Sequence, residues 1–366
     1  MNFEQIKELD TNYVVGMYAR FPLAIKSGKG VICEDFEGKQ YIDFSSGIGV
    51  NCLGFADPDW AKAVYDQMMT ISHISNLYYT QPGIFVAKAL CERTGMSKVS
   101  FANSGAEANE AAIKVARKYS YDKYGAGRFE IVTLENSFHG RTITTLAATG
   151  QVVMHASHFA PYPDGFVYSL ANDVADLKSK VSNNTCAIMI ELIQGEGGVI
   201  PLDASFVSAV VELCAQKDLL LIIDEVQSGV GRTGALFCFQ SFGLSPDIVT
   251  CAKGLGGGLP IGAVLYSEKA ANVLQPGDHA TTFGMNAAVC AGANVVLEKL
   301  NDQTLSSVSA KGEKIIKALS KCGNVESVTG MGLMLGILPR KGTSRDIVNR
   351  CIEKGLIVLT DRKSVV

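Results

Sequence analysis

Short runs of consecutive apolar residues alternate with longer helical patterns through the middle of this 366-residue chain. Most of the runs are continuous rather than alternately apolar and polar, which is typical of strands that helices cover on both faces, as in a parallel sheet. Helical patterns occur between the runs, at residues 106–121, 173–180 and 204–217. The candidate strands are Lys98–Ala102, Glu130–Leu134, 187–192, 219–224, 248–252 and Gly262–Tyr266. This order predicts an α/β fold with a mostly parallel sheet.

The two ends of the chain show other patterns. Residues 1–45 contain short strand-like runs joined by Glu37-Gly38, a pair that is typical of a hairpin. The C-terminal part has helical patterns followed by strand-like runs, at residues 287–300, 305–319, 325–329 and 332–338. We therefore expect a large α/β domain over residues 46–266 and a small α+β domain built from residues 1–45 and 267–366.

Composition and charge exclude several classes of protein. The formal net charge is -3, so no bulk positive charge favours binding to nucleic acid or to an anionic membrane surface. The first ten residues are polar and acidic and lack the basic region and apolar core of a signal peptide. No apolar run approaches the roughly 20 residues needed to span a bilayer. These features predict a cytoplasmic protein.

Cysteine and histidine patterns do not indicate a metal site. The ten cysteines are scattered and form no Cys-x-x-Cys pair, which is typical of reduced thiols that serve as small apolar core residues in the cytoplasm. His155 and His158 have the spacing of a metal pair, but no further ligand pattern accompanies them. We therefore expect no metal.

One lysine ends an apolar run and is followed by a glycine-rich loop. Lys253 follows the run at 248–252, and Asp224 ends the run at 219–224. A pyridoxal phosphate (PLP) enzyme needs such a pair, because the amine forms a Schiff base with the aldehyde while the carboxylate keeps the pyridine nitrogen protonated. Burial between apolar segments would lower the pKa of Lys253 and supply a neutral amine. In isolation, a lysine at a strand end is usually a solvated surface residue, and an aspartate after an apolar strand is often a turn former or a helix cap.

A candidate anion site opens the helical pattern that begins near residue 105. Ser104, Gly105 and Ala106 follow a candidate strand, and a helix N-terminus offers unpaired N–H groups and the positive end of the helix dipole. The alternative is an ordinary serine cap. Together with Asp224 and Lys253, the pattern favours a phosphate.

Two further stretches carry side chains that suit a ligand. Phe138 can stack on a flat ring, and Arg141 can bind a carboxylate through two parallel hydrogen bonds. Glu191 and Glu196 flank a strand end and a glycine loop, where neighbours can tune the pKa of Glu196. The alternatives are a solvated loop arginine and a solvated turn.

Taken together, these stretches resemble the class III (subgroup II) PLP-dependent aminotransferases, over about residues 11 to 360. The segments that carry the resemblance are 103–110, 137–142, 146–150, 193–198, 224–234, 246–258 and 277–284. The resemblance implies the PLP-dependent transferase fold type I, with a large domain around a mostly parallel seven-stranded sheet and a small α+β domain. It also implies a homodimer with active sites at the subunit interface.

The resemblance assigns roles residue by residue. Lys253 would form the Schiff base and carry the proton, Asp224 would pair with the pyridinium nitrogen, and Glu191 would orient substrate and cofactor. Arg141 would bind the substrate α-carboxylate, with Tyr18 near the substrate and Glu196 as a gate. The remaining cofactor contacts would be Ser104, Gly105 and Ala106 (phosphate), Phe138 (ring face), His139, Val226 (ring packing), Gln227 (phenolic oxygen) and Thr282 (phosphate of the neighbouring subunit).

The implied reaction is a ping-pong transfer of a terminal amino group between N2-acetylornithine and 2-oxoglutarate, within arginine biosynthesis. Two alternatives stay open. One is a related ω-aminotransferase acting on succinylornithine, ornithine or 4-aminobutyrate. The other is a PLP-binding protein that a shortened C-terminus has made inactive. A nucleotide-binding module is disfavoured, because residues 254–258 do not form a Gly-x-Gly-x-x-Gly pattern.

The chain departs from the family pattern near its end. The family continues past the position of Val358 into an Arg-Leu-Leu-Pro-Pro-Leu-like strand and a final helix, which residues 359–366 do not match. Arg362 lies near the place of the family's C-terminal arginine but outside its motif. A smaller departure is Asn286-Ala287-Ala288 in place of an Asn-Pro-Leu-like run. These departures are expected to affect stability and substrate binding while the PLP residues stay intact.

Overall fold

A computed structural model describes residues 1–360, 364 and 365 of the chain. The strands are β1 (Ile25–Lys29), β2 (Ile32–Asp35), β3 (Gln40–Asp43), β4 (Lys98–Ala102), β5 (Glu130–Leu134), β6 (Phe166–Ser169), β7 (Thr185–Ile190), β8 (Ile193–Gln194), β9 (Ile200–Pro201), β10 (Leu220–Asp224), β11 (Ile248–Cys251), β12 (Gly262–Tyr266), β13 (Val325–Met331), β14 (Met334–Pro339) and β15 (Leu356–Ile357). The helices are α1 (Phe3–Tyr13), α2 (Ser46–Gly49), α3 (Pro58–Thr70), α4 (Gln81–Thr94), α5 (Gly105–Tyr124), α6 (Ile143–Ala148), α7 (Val174–Lys180), α8 (Ala204–Lys217), α9 (Cys238–Ser241), α10 (Ala287–Lys299), α11 (Asp302–Leu319) and α12 (Ser344–Glu353). Short 3₁₀ turns lie at Val152–Met154, Ser157–Phe159 and Lys253–Gly256.

Seven strands form the central sheet, in the order β4-β12-β11-β10-β7-β5-β6. Its neighbouring pairs are parallel except those of β12, which runs antiparallel to both β4 and β11. The expected mostly parallel seven-stranded sheet is therefore confirmed, and six of its strands match the six apolar runs. The seventh, β6, was not among the expected strands, because Phe166–Ser169 is short and mixes aromatic and polar residues.

Alternate side chains of the central strands enter two different cores, which explains why most of the runs show no regular alternation of apolar and polar residues. Leu220 and Ile222 of β10 pack with the alanine-rich face of α5. Leu221 and Ile223 of the same strand point into the opposite core, which α8 and α10 help to cover. Asp224 follows in register, so its side chain emerges on the face of the sheet that α5 covers.

Residues from both ends of the chain meet in a second, four-stranded sheet of order β1-β2-β3-β15. A separate apolar cluster beneath it includes Cys33 and Tyr41 from one end and Val348 and Ile352 from the other. The expected domain boundaries at residues 45 and 266 remain a prediction. Helix α10, beyond the second boundary, buries its side chains in the core of the central sheet.

No helix in the described part of the chain combines the length and the apolar character that a membrane crossing requires.

Candidate active site

A cavity of about 490 Å³ lies where several strands of the central sheet end at their carboxyl edge. In sheets of this kind, ligands bind outside the carboxyl ends of the strands, because side chains from neighbouring strands converge there. The register pairs Asp224 with Thr250 across β10 and β11, so the segment after β11 brings Lys253 to the same edge. The lining comes from the segments that follow β4, β5, β7, β10 and β11, from the loop before β12, and from Val50 at the end of α2.

Asp224 is buried at the floor of this cavity and accepts three hydrogen bonds. Its Oδ2 accepts from Asn109 Nδ2 at 2.7 Å and from His139 Nδ1 at 2.8 Å, and its Oδ1 accepts from the backbone N–H of Val226 at 3.0 Å. All three partners are donors, and together they fix the orientation of the carboxylate. A carboxylate has about four acceptor positions, so one remains for a group in the cavity.

His139 shares the burial of Asp224 and is oriented by it. Because Nδ1 donates to the carboxylate, that nitrogen carries the proton. Burial lowers the pKa of His139, but the hydrogen bond and the charge of Asp224 outweigh that effect and raise it above its ordinary value. The other ring nitrogen, Nε2, is buried and has no hydrogen-bond partner among the described residues.

Lys253 begins a 3₁₀ turn with a backbone φ of +40°. Burial lowers the pKa of its amine below the ordinary value, and the nearby charge of Arg232 acts in the same direction. The carboxylates of Glu196, Asp224 and Glu191 oppose this effect without cancelling it. Within the described residues the amine has no hydrogen-bond partner, and it is therefore available for nucleophilic chemistry.

The N-terminus of α5 forms one wall of the cavity. Ser104 caps the helix, since its Oγ accepts from the backbone N–H of Glu107 at 3.2 Å. The ordinary cap and the phosphate site are thus compatible, because the N–H groups of Gly105 and Ala106 have no acceptor within the described residues. A Cβ at Gly105 would lie 2.6 Å from a methyl group of Val226, so only glycine lets the helix start this close to the opposite wall.

Glu191 is buried behind Phe138. Its Oε2 accepts from the backbone N–H of Phe138 at 2.9 Å, and its Oε1 accepts from that of Gly195 at 3.4 Å. Burial raises the pKa of Glu191 to about 7. The carboxyl group therefore fixes the backbone on which the Phe138 ring stands, and the Arg141 guanidinium lies over that ring at 5.6 Å from its centroid.

The cavity gathers most of the residues expected from the sequence. Those that line it are Ser104, Gly105, Ala106, Phe138, His139, Arg141, Glu191, Asp224, Val226, Gln227 and Lys253. Glu196 is not in the lining but acts electrostatically on Lys253. Tyr18 and Thr282 are exposed side chains that are not among the lining residues, and Arg362 falls outside the described residues. The roles assigned to these residues remain predictions.

Asn109 is the most informative residue that the sequence analysis missed. It is 1% exposed, and its amide donates to both Asp224 Oδ2 and the carbonyl oxygen of His139. The available signal was its place one helical turn after Gly105, on the buried alanine face of α5. The other unanticipated lining residues are Val50, Asn103, Gly140, Ala252, Gly258, Leu259, Pro260 and Ile261.

A family model, a relative and two solved structures that match this chain all belong to the aminotransferases. The family model described as Aminotransferase class-III matches residues 14–366. The acetylornithine aminotransferase of Haemophilus ducreyi is 53% identical over 362 residues, which cover 98% of this chain and 92% of that protein. The ornithine aminotransferase structure from Toxoplasma gondii matches with a TM-score of 0.95 at 29% identity, over 100% of this chain and 89% of the other. The N-acetylornithine aminotransferase structure from Stenotrophomonas maltophilia matches with a TM-score of 0.83 at 33% identity, over 98% and 91% of the two chains.

Proposed function

This chain belongs to the class-III aminotransferases, and we propose that it uses PLP to exchange the terminal amino group of N2-acetylornithine with the oxo group of 2-oxoglutarate. The products are N-acetylglutamate 5-semialdehyde and glutamate, within arginine biosynthesis. One observation carries the proposal: a single cavity holds the Lys253 amine and the buried Asp224 carboxylate, in a chain 53% identical to a protein named for this activity.

The cavity residues fit PLP on three structural points. The N–H groups of Gly105 and Ala106 are unpaired at the start of a 20-residue helix, which suits a phosphate. Asp224 keeps one acceptor position for a protonated ring nitrogen, and the Lys253 amine is unpaired within the described residues. When bound, PLP supplies an aldehyde that condenses with amines and a ring that withdraws electrons from the bond that breaks.

Asp224 would hold the ring nitrogen in its protonated form. Asn109, His139 and the backbone of Val226 donate to the carboxylate and fix its direction. The hydrogen bond from the His139 imidazole to Asp224 Oδ2 holds the carboxylate in one orientation. These contacts belong to the chain and exist without any ligand, so the charge is in place before the cofactor arrives.

Lys253 would act as both the attachment point and the proton carrier. Its lowered pKa leaves more of the amine neutral near physiological pH than an exposed lysine would have. A neutral amine can attack a carbonyl carbon and can accept a proton when the substrate has displaced it. The nearest other titratable carboxyl groups, Glu196 and Glu191, oppose the loss of charge and so limit how far the pKa falls.

Substrate recognition would use a fixed contact from Arg141 and an adjustable contact from Glu196. The same site takes an amine with an acylated arm in one half-reaction and a dicarboxylic oxo acid in the other. We assign the α-carboxylate of both to Arg141, which lines the cavity beside the Phe138 ring. Glu196 is the adjustable group, since its carboxylate acts on Lys253 without a fixed ion pair in the described residues.

A second copy of the chain would complete the site. Thr282 is exposed beside Phe283, which is 62% exposed, and Asn76 donates to the carbonyl oxygen of Gly284 at 2.7 Å. Asn76 thereby joins this segment to a run that exposes Leu77 (87%), Tyr78 (64%) and Tyr79 (98%). Contiguous exposed apolar side chains mark interaction surfaces, which supports a homodimer with Thr282 at the partner's phosphate. The cytoplasmic location stays a prediction.

The amine donor is the finer point to test. Purified protein loaded with PLP should be assayed with 2-oxoglutarate and, in turn, N2-acetylornithine, N2-succinylornithine, ornithine and 4-aminobutyrate. The proposal predicts the highest kcat/KM with N2-acetylornithine. A higher value with one of the other amines would assign the chain to that activity, and PLP binding without turnover of any of the four would support an inactive protein.

A further inference from the structure

The only tryptophan of the chain contacts the turn that carries Lys253. The indole Nε1–H of Trp60 donates to the carbonyl oxygen of Gly256 at 3.1 Å. Gly256 is the last residue of the 3₁₀ turn that Lys253 begins. The side chain does not line the cavity, so any effect of Trp60 on the chemistry is indirect, through the segment that it contacts.

The position of Trp60 is fixed from its own helix. Asp57 caps α3 by accepting from the backbone N–H of Trp60 at 3.0 Å. The same carboxylate binds Lys299 at the end of α10 at 2.6 Å, which ties α3 to α10. A Cβ at Gly292 of α10 would lie 2.7 Å from the indole nitrogen, and a Cβ at Gly257 would lie 2.8 Å from it. The indole therefore fills the space between α10 and the Lys253 turn.

The turn has a backbone that needs support. Lys253 has φ +40° and Gly257 has φ +59°, and a left-handed conformation is unfavourable for a residue with a side chain. Such a residue persists only when its surroundings hold it. Two side chains donate hydrogen bonds to this turn: Trp60 to the carbonyl oxygen of Gly256, and the Cys52 thiol to the carbonyl oxygen of Gly254, each at 3.1 Å.

We propose that Trp60 is a positioning residue for Lys253: through Gly256, its indole holds the 3₁₀ turn in the conformation that keeps the lysine amine inside the cavity. The inference rests on the proposed function only in that the Lys253 amine is taken to bind PLP and to carry the proton. The hydrogen bond from Trp60 to Gly256 forms within the chain itself, so its effect on the turn can be measured without cofactor or substrate.

A looser turn would change the titration of Lys253. Burial is the largest cause of its lowered pKa, and a turn free to move admits water, so the pKa would rise toward the ordinary 10.5. The charged groups that act on the amine in the folded chain are Glu196, Asp224, Glu191 and Arg232. Arg141 and His139 also line the cavity. None of these is altered by a substitution at Trp60.

The test measures acetylation of Lys253 by acetic anhydride as a function of pH. It uses the cofactor-free 366-residue chain and mass spectrometry of the peptide that contains Lys253. The variant is Trp60→Phe, which removes the indole N–H. The matched control is Tyr266→Phe, which removes one aromatic side-chain hydrogen bond, to Ser100 Oγ at 2.7 Å, at the far end of β12.

The proposal predicts that the acetylation midpoint rises by about one pH unit in Trp60→Phe, the equivalent of one net hydrogen bond. It predicts the wild-type midpoint in Tyr266→Phe. A wild-type midpoint in Trp60→Phe, or an equal shift in the control, would overturn it. If Trp60→Phe does not fold, β-(3-benzothienyl)alanine at residue 60 keeps the ring size and removes only the N–H, with the same two outcomes.

A second readout uses the PLP-loaded protein. In Trp60→Phe, kcat should fall by roughly three- to tenfold, while KM for both substrates changes by less than about twofold. A loss confined to KM would contradict a role through Lys253. Should the chain transaminate none of the substrates tested, the acetylation midpoint still decides the role of Trp60, and only the proposed function fails.

Discussion

Glu225 makes the stability of this protein depend on pH in a way that can be calculated. Its side chain is fully buried next to Asp224 but outside the cavity lining. Oε1 accepts from the backbone N–H of Phe239 at 2.6 Å, and Oε2 accepts from that of Cys238 at 2.9 Å and from Ser228 Oγ at 3.0 Å. Burial raises its pKa from 4.5 to about 7, although these hydrogen bonds favour the ionised form.

The sign and size of the effect follow from that pKa. A carboxyl group whose pKa is higher in the folded than in the unfolded chain binds its proton more tightly when folded. Its contribution to stability is fully present below pH 4.5 and is lost as the pH rises through 7. The difference between 4.5 and 7 corresponds to about 3 kcal/mol, and about 2 to 3 kcal/mol of it is lost between pH 5 and pH 8.

The assay compares wild type with Glu225→Gln by urea unfolding of the cofactor-free protein, followed through the emission of Trp60. Glutamine cannot ionise, and it leaves the N–H of Cys238 without an acceptor, which costs about 1 to 3 kcal/mol at every pH. The stability advantage of wild type over the variant should therefore shrink by about 2 to 3 kcal/mol from pH 5 to pH 8. A difference that stays constant with pH would refute the reasoning.

Three further substitutions test the site itself. Lys253→Ala should abolish both the yellow absorbance of bound PLP and turnover in a coupled assay; turnover that persists would rule out the lysine as attachment point. Asp224→Asn should still bind PLP, measured by equilibrium dialysis, but lose roughly 100- to 1000-fold in kcat because the directed charge is gone, and a wild-type rate would remove that role. Arg141→Ala should raise KM for both N2-acetylornithine and 2-oxoglutarate by about tenfold or more, whereas a change for only one substrate would show that the two α-carboxylates do not share a contact.

Much of the fold was predictable because a strand that is buried on both faces of a sheet appears in the sequence as a run of consecutive apolar residues. The runs that became β10 and β11 are apolar except at Thr250 and at the terminal Asp224, since successive side chains enter two different cores. Asp224 and Lys253 were recognisable because each breaks such a run at its end. β6 is not such a run, because it lies at the edge of the sheet and three of its four residues are only half-buried.

The parts of the site that escaped prediction depend on contacts between segments far apart in the chain. In the sequence, nothing distinguishes Asn109 from other polar residues of a helix. In the structure, its Nδ2 lies 2.7 Å from Asp224 Oδ2. Trp60 lies 196 residues from the carbonyl oxygen that it contacts, and no local pattern joins the two. Tyr18 and Thr282 are exposed in the single chain, so the roles that the resemblance implies for them depend on further contacts.

The most direct test of the central claim is a single half-reaction. The purified protein loaded with PLP is mixed with N2-acetylornithine in the absence of 2-oxoglutarate, and the yellow absorbance of the lysine-bound cofactor is followed. The account predicts that the absorbance is lost and that 2-oxoglutarate then restores it, with one equivalent of glutamate released per site. An absorbance that N2-acetylornithine leaves unchanged, in protein that binds PLP, would contradict the assignment of this chain as an N2-acetylornithine-dependent aminotransferase.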